Sequence, residues 1–185
     1  GMGSDVRIGS RFLRAGPAYG GSCFPKDTKG LVSIGNKANV DLSLVKSVIK
    51  SNEKRKKLLL DKVNEIIGKD MKNKRITFLG VTFKPNTDDM RDSASLSMIP
   101  NLHKKGAQIS YYDPTGEKKE FVKLRNCKSY NQINLACKNA DLIILHTEWD
   151  EFKTLDFKKL KTKKKFILYD LRNLYDLNEM KKKKI

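Results

Sequence analysis

The stretch RITFLGVTFKPNTDDMRDSASLSMIPNLHKKGAQISYYDP, residues 75–114, decides the fold. It opens with Arg75–Leu79, a mostly apolar segment that a glycine ends, as expected of a buried strand. Residues 93–105 then carry apolar side chains at helical spacing, although Pro100 should kink this helix or delay its start. A second strand follows at Gln108–Tyr112. This order of strand, helix and strand predicts a βαβ unit within a parallel sheet.

The same alternation continues towards the end of the chain. We predict a helix at 130–138 and strands at Leu142–Leu145 and 166–169. The fold class is therefore α/β, with a Rossmann-like doubly wound parallel sheet that binds ligands at the carboxyl ends of its strands. No strand runs into Gly-x-Gly-x-x-Gly, so the dinucleotide fingerprint is missing. After the turn at Gly80, Lys84 and backbone amides could hold a phosphate instead.

A long helix is predicted upstream of this sheet. Apolar residues recur at three- and four-residue spacing over 41–67, and Gly68 is a suitable stop. The centre of this helix, 51–57, is polar all round. Such a helix bridges two domains, packs against a partner subunit, or lies on the surface. We divide the chain into a helical region, 1–68, and an α/β domain, 69–185. Two shorter helical stretches are expected before the long helix, near 8–13 and 28–39.

The composition limits the partners that we expect. The 185 residues carry a formal net charge of +18, with 38% hydrophobic and 8% aromatic residues. This charge invites a polyanionic partner, but it is mostly lysine, it is spread along the chain, and no nucleic-acid motif accompanies it. A solvated lysine-rich surface is favoured over nucleic-acid binding. No apolar run approaches about 18 residues and no signal peptide is visible, so neither a membrane span nor secretion is predicted.

The cysteines and histidines indicate the compartment. Cys23, Cys127 and Cys137 form no CxxC pair, have no metal-site spacing and are odd in number. That pattern favours a reducing, cytoplasmic location over a disulfide scaffold. His103 and His146 are too far apart in sequence to suggest a metal site, so no metal is expected.

A second informative stretch is GPAYGGSCFPKD, residues 16–27. Its glycines allow backbone amides to approach a ligand closely. Pro25 and the charged pair after it are typical of a helix start. Lys26 and a nearby helix N-terminus would favour the thiolate of Cys23, which is the nucleophilic form. The alternative is a buried structural cysteine in a turn.

These twelve residues resemble the catalytic-cysteine motif of the UDP-glucose/GDP-mannose dehydrogenase family. Phe24 favours the UDP-glucose branch, because the GDP-mannose branch more often has leucine there, and Ser22 disfavours the N-acetylmannosamine branch. Further blocks at 80–91, 146–152 and 170–173 are similar to family signatures. The resemblance implies that the family's N-terminal NAD-binding domain is absent from this chain, and that the chain alone does not turn over substrate.

The resemblance also implies roles for individual residues. Cys23 would be the nucleophile, and Asp27 would position water and assist proton transfer. Lys26 and Arg91 would contact the NAD cofactor. The predicted contacts to the UDP-sugar are Arg7, Phe12, Leu13, Arg14, Tyr19, Gly20, Phe24, Phe83, Lys84 and Arg172. Arginine suits this role because its planar guanidinium binds phosphate oxygens in a bidentate manner.

In the family reaction, the C6 alcohol of UDP-glucose is oxidised to an aldehyde by hydride transfer to NAD. The cysteine captures the aldehyde as a thiohemiacetal, a second hydride transfer gives a thioester, and water releases UDP-glucuronate. A homodimer through the long helix is implied as well. Two alternatives stay open: a GDP-mannose or other nucleotide-sugar dehydrogenase, and a non-catalytic module that binds a nucleotide sugar or a polyanion. Steep salt dependence would mark polyanion binding.

Overall fold

The structure, a computed structural model, is described for residues 1–160, 162–163 and 165–182, with the backbone alone at Arg11 and Phe12. Its regular elements follow a helical start and then an α/β alternation. In chain order they are α1 (Cys23–Lys37), α2 (Ser43–Ile67), β1 (Arg75–Leu79), α3 (Ser95–Lys104), β2 (Gln108–Tyr112), β3 (Cys127–Ser129), α4 (Ile133–Ala136), β4 (Leu142–Leu145), β5 (Ile167–Asp170) and α5 (Leu177–Lys182). Short 3-10 turns lie at Met2–Ser4, Ser10–Leu13 and Asp150–Thr154.

The five strands form one sheet in the order β3-β2-β1-β4-β5, and every neighbouring pair is parallel. β1 is central, with Ile76 aligned to Ile109 on one side and to Leu142 on the other. All four residues of β4 are buried, as expected of a strand covered on both faces. The predicted Rossmann-like α/β class is therefore confirmed.

The core lies on both faces of this sheet. On one face Ile76 and Phe78 pack in a cluster with Leu59 and Val63 of α2 and with Ile99 of α3. Because side chains alternate along a strand, the next residues point to the other face. There Leu79, Ile143 and Leu145 pack with Trp149, Phe152, Phe157 and Met180.

Helix α2 connects the two parts of the chain. Its amino half packs against α1, and Leu59 and Val63 of its carboxyl half belong to the core of the sheet. It ends at Gly68, whose φ of +91° is in the region that glycine adopts readily. The helical pair also leaves apolar side chains exposed, namely Leu31, Ile34, Val40, Leu44 and Val48. Of the roles expected for this helix, bridging the helical region and the sheet is the one observed.

Two helix boundaries differ from the prediction. Helix α1 begins at Cys23 rather than near 28, so the cysteine itself is the first helical residue. Helix α3 begins at Ser95 and continues through Pro100 to Lys104. Proline removes one backbone donor from the helix, but the buried side chains of α3 hold the segment against the sheet.

The prediction also failed for two elements around β3, because one helix was predicted too long and one strand was not predicted. The sequence indicates a helix over 130–138, but only Ile133–Ala136 is α-helical. The edge strand Cys127–Ser129 was not predicted, because none of its three residues is fully buried and it has no apolar run to mark it. Among the helices that the structure describes, none has the length and apolar character needed to cross a membrane.

Candidate functional site

The candidate site lies where the strand order reverses. From β1 the chain passes to β2 and β3 on one side of the sheet, and then to β4 and β5 on the other. At such a switch point the loops after neighbouring strands diverge and leave a crevice at the carboxyl edge. Three segments meet here: residues 80–84 after β1, which we call the β1 turn, residues 146–149 after β4, and Arg172 after β5.

The β1 turn is held in place by buried polar side chains. One carboxylate oxygen of Asp113, at the end of β2, accepts the N–H groups of Val81 at 2.8 Å and Thr82 at 3.4 Å. The hydroxyl of Thr147 donates to the carbonyl of Thr82 at 2.7 Å. Lys118 lies 3.6 Å from Asp113, and both side chains are almost fully buried. The backbone that precedes Phe83 is thus fixed by groups that need no ligand.

Residues 16–22, which we call the glycine loop, dock on this turn. The N–H of Gly21 donates to the carbonyl of Arg91 at 2.7 Å. Gly21 has a φ of +86°, and a Cβ on it would lie 2.7 Å from the ring of Phe83. Both its conformation and its neighbour therefore require glycine at this position.

A cleft of about 520 Å³ opens between the glycine loop, α2 and the β1 turn. This volume is within the range of about 300–1,000 Å³ that is typical of small-molecule sites. Among the residues that line it are the arginines Arg14, Arg55 and Arg172 and the aromatic residues Tyr19 and Phe83. Gly20, Ser51 and Asn52 also line it. Such cations and aromatic faces suit a ligand that carries phosphates and a planar ring.

Most of the Arg172 side chain is already engaged by the chain itself. Its Nε donates to the carbonyl of His146 at 2.9 Å and lies 2.7 Å from the Glu148 carboxylate. Its Nη2 donates to the carbonyl of Phe83 at 2.9 Å. Its Nη1 faces Gly16, where a Cβ would come within 2.6 Å. Burial lowers the pKa of Arg172. Arg172 thus ties together the ends of β1, β4 and β5, beyond the ligand role predicted from the sequence.

Four other predicted contact residues lie around the cleft or beside its walls. The Arg14 side chain is exposed and makes no hydrogen bond or ion pair with the part of the chain described here. The ring of Phe24 meets that of Tyr19 edge-on, with centroids 4.8 Å apart. The ammonium group of Lys84 lies 5.4 Å from the ring centroid of Phe83. Arg14 is consequently the most available cation of the cleft.

Of the N-terminal predicted contacts, Arg7 and Leu13 do not line this cleft. Arg7 is exposed and forms a bidentate pair with Asp5, at 3.0 and 2.6 Å. Leu13 is exposed as well. The side chain of Phe12 lies outside the described residues. The roles of these three residues stay predictions.

Cys23 stands exposed at the first position of α1. Lys26 and Asp27, on the same helical turn, pair with each other at 3.3 Å. The Asp89 carboxylate forms a bidentate pair with Arg91 and raises the pKa of the Arg91 guanidinium. Cys23 lies close enough to contribute to this shift. A thiol, two carboxylates and two cations are therefore gathered around the exposed start of α1.

The other two cysteines have a different environment. Burial raises the pKa of the Cys127 and Cys137 thiols to about 12. A thiol in that state is a poor nucleophile near neutral pH. Of the three, only Cys23 is exposed to solvent.

Sequence reasoning missed the contribution of α2. Asn52 and Arg55 line the cleft, and the side chain of Asn52 bonds to the backbone of Tyr19. The signal was present in the polar centre of the helix, 51–57. A polar stretch within an amphipathic helix can mark a solvated face or a buried polar contact, and the pattern alone does not separate the two.

The buried His146 should make stability depend on pH. Burial, with a smaller contribution from the Arg172 charge, lowers the pKa of His146 from its ordinary 6.5 to about 3. Below pH 6.5 the unfolded chain binds a proton that the folded chain does not, so stability is lost as the pH falls. Between pH 7 and 5 this amounts to about 2 kcal/mol. We expect urea titrations at the two pH values to show this loss in the wild type and a smaller one in His146→Gln. Equal losses of stability in the two proteins would contradict this role of His146.

Two family models match the chain. The UDP-binding domain of the UDP-glucose/GDP-mannose dehydrogenase family matches residues 77–177, and the central domain of the same family matches residues 1–54. The chain belongs to this family. Both the family and its α/β fold agree with what the sequence motifs predicted.

Curated and solved relatives agree with this family assignment. The UDP-glucose 6-dehydrogenase of Rhizobium meliloti (strain 1021) is 43% identical over 183 residues, which cover 98% of this chain and 42% of that protein. That of Rickettsia felis is 40% identical over 185 residues, covering 98% and 41%. A UDP-glucose dehydrogenase structure from the archaeon Pyrobaculum islandicum superimposes with a TM-score of 0.80 at 27% identity, over 96% of this chain and 40% of that one. The chain spans about two fifths of the length of the curated relatives it matches.

Dehydrogenases of this family use NAD. The β1 turn does not fit a dinucleotide, however. The amides of Val81 and Thr82 are bonded to Asp113, and the space beside Gly80 is filled by Thr147, 2.5 Å from where a Cβ would stand. In a dinucleotide site, free amides and open space at this turn receive the pyrophosphate.

Proposed function

We propose that the cleft binds the UDP part of UDP-glucose and that the chain is the substrate-binding and cysteine-bearing portion of a UDP-glucose 6-dehydrogenase. The observation that carries this proposal is the cleft itself, about 520 Å³ at the switch point, which three arginines and two aromatic residues help to line. Phosphates would pair with the arginines, and the base would stack on a ring. The match to a UDP-binding domain model and the curated relatives support uridine as the base.

Cys23 is proposed as the nucleophile that captures the sugar aldehyde. It lies three residues beyond Gly20, which lines the cleft. Because Cys23 is exposed, its thiol is free to attack a bound substrate. The thiolate adds to the aldehyde carbon, and the thioester formed after oxidation is hydrolysed by water. Asp27 is proposed to orient that water, because it lies four residues after Cys23 on the same face of α1.

NAD is proposed as the cofactor of this reaction, and when bound it would supply the oxidant for the sugar alcohol. Because the β1 turn does not fit a dinucleotide, we do not assign the cofactor to that turn. Lys26 and Arg91 are proposed to face the cofactor phosphates. Both are exposed, with 76% and 68% of their side-chain surface accessible. Lys26 follows Cys23 by three residues, and Cys23 is close enough to Arg91 to affect its pKa.

A second copy of the chain is proposed to cover the exposed apolar side chains of α1 and α2. Leu44 is 80% exposed and Ile34 is 66% exposed, and both belong to this helical pair. Burying apolar surface of this kind favours association. Sedimentation velocity would contradict the proposal if the wild type stayed monomeric at every concentration.

We expect Arg14→Met to weaken the binding of UDP to this chain about tenfold, because it removes a charge-assisted contact to phosphate. Titration calorimetry with UDP, UDP-glucose and GDP-mannose is the measurement. Arg75→Met is the matched control, since it removes the same charge from the opposite, amino edge of the sheet. UDP and UDP-glucose should bind alike and better than GDP-mannose.

Repeating the titration at high salt separates a specific site from the polyanion-binding alternative. A built nucleotide site should keep most of its affinity, whereas polyanion binding falls steeply with salt. Equal losses in Arg14→Met and Arg75→Met, or no preference for uridine, would contradict the proposed site. The variant Cys23→Ser should leave the UDP affinity unchanged, because Cys23 is proposed to act on the sugar.

A further inference from the structure

The polar centre of α2 has a role that the proposed nucleotide site does not explain. In this stretch, 51–57, Asn52 and Lys56 are each only 9% exposed. They are four residues apart and lie on the same face of the helix. Burying polar groups is unfavourable unless they find partners, so this face must be matched by another part of the chain.

Asn52 finds its partner in the glycine loop. Its Oδ1 accepts the N–H of Tyr19 at 2.9 Å, and its Nδ2 donates to the carbonyl of Tyr19 at 3.1 Å. One amide side chain thus satisfies both backbone groups of one residue, as a neighbouring strand would. The two contacts fix the backbone direction at Tyr19 as well as its distance from α2.

Other contacts from α2 support the same arrangement. Arg55 Nε donates to the carbonyl of Pro17 at 3.3 Å. Lys56 pairs with Glu53 at 3.0 Å and lies 3.9 Å from Asp92, just beyond the β1 turn. The polar centre of the helix therefore reaches the loop at one point and the α/β domain at another.

The glycine loop is held from its other side by the α/β domain. Gly21 donates to the Arg91 carbonyl at 2.7 Å, and Gly16 packs against the Arg172 guanidinium. Between these two points only α2 supplies hydrogen bonds to the loop backbone among the residues described. Without Asn52, Tyr19 would have a free N–H and a free carbonyl at the wall of the cleft.

We propose that Asn52 is the positioning residue of the glycine loop. It holds the loop so that Tyr19 lines the cleft and Cys23, directly after the loop, lies at the start of α1. Asn52 acts on the cleft through Tyr19. The same contacts would exist whichever nucleotide the cleft takes, so the inference goes beyond the proposed function.

Amide hydrogen exchange at Tyr19, read by NMR on the whole chain, tests this role. In Asn52→Leu the Tyr19 amide loses its acceptor, and its exchange should become roughly tenfold faster or more. In Asn52→Asp a carboxylate oxygen can still accept this N–H, so protection should be largely kept. Asn64→Leu is the control, because Asn64 lies on the same helix and bonds to Lys105 away from the loop.

Unchanged exchange in Asn52→Leu would overturn the proposal. So would an equal loss of protection in Asn52→Leu and Asn52→Asp, because Asn52 would then act by packing alone. If Asn52→Leu does not fold, Asn52→Ala takes its place against Asn52→Asp. The UDP affinity of the same variants, measured by calorimetry, should fall with the loss of protection. A wild type that does not bind UDP would contradict the proposed function and leave the exchange result unaffected.

Discussion

Replacing Asp113 with alanine should lower the free energy of unfolding by about 3–5 kcal/mol, because it leaves the buried Lys118 charge without its partner. Asp113 also accepts two backbone N–H groups of the β1 turn, at Val81 and Thr82, and the N–H of Thr115 at 3.0 Å. Urea denaturation at neutral pH is the measurement. A change of this size is a large fraction of the stability of an ordinary domain.

A double-mutant cycle isolates the ion pair from the backbone contacts. Lys118→Met in the Asp113→Ala background removes the orphaned charge, so it should recover part of the lost stability. Asp70→Ala serves as the control, because Asp70 is an exposed carboxylate with a local hydrogen bond to Lys72. If Asp113→Ala unfolds at the same urea concentration as Asp70→Ala, the buried pair does not hold the turn.

We also expect Gly80→Ala to destabilise the protein by about 3–4 kcal/mol, the sum of backbone strain and overpacking. Gly80 has a φ of +73°, and a Cβ there would lie 2.5 Å from the Cβ of Thr147 and 3.1 Å from its backbone nitrogen. The backbone nitrogen is fixed by the start of the segment after β4, so the strain cannot be relieved by a side-chain rotation. The β1 turn and the segment after β4 would therefore have to move apart.

Two other glycines provide matched controls for this prediction. Gly9 and Gly116 have φ values of +74° and +81°, and a Cβ on either would meet nothing within 4 Å. Gly9→Ala and Gly116→Ala should therefore cost about 1 kcal/mol each, from backbone strain alone. Similar losses in all three variants, measured by thermal or urea unfolding, would show that the contact with Thr147 is not limiting.

The elements that sequence patterns located well are those with a strong, local signal. Arg75–Leu79 and Leu142–Leu145 have the bounds predicted for them, because an apolar run ended by a polar or glycine residue is unambiguous. Cys127–Ser129 was missed because a short edge strand owes its hydrogen bonds to its neighbour β2 and not to its own composition. Pro25 and the charged pair after it did indicate a helix start, and the structure places that start at Cys23.

The residues that line the cleft likewise divide into those that the sequence motifs identified and those that they did not. Tyr19, Gly20 and Phe83 line the cleft, as does Arg14, and motif resemblance found each of them. Asn52 was not found. Its partner Tyr19 is 33 residues away in the chain, and no pattern in a helix states which distant backbone group a buried amide will meet.

The sequence by itself determined the family, the order of strands and helices apart from β3, and the presence of one cysteine on a glycine-rich helix start. These follow from local spacing and composition, which are properties of neighbouring residues. Only the tertiary structure decided that Arg172 bonds to the Phe83 carbonyl, 89 residues away, and that the polar centre of α2 faces the glycine loop. A side chain carries its donors and acceptors in the sequence, but their partners are chosen by which backbone groups the packed core brings within about 3 Å.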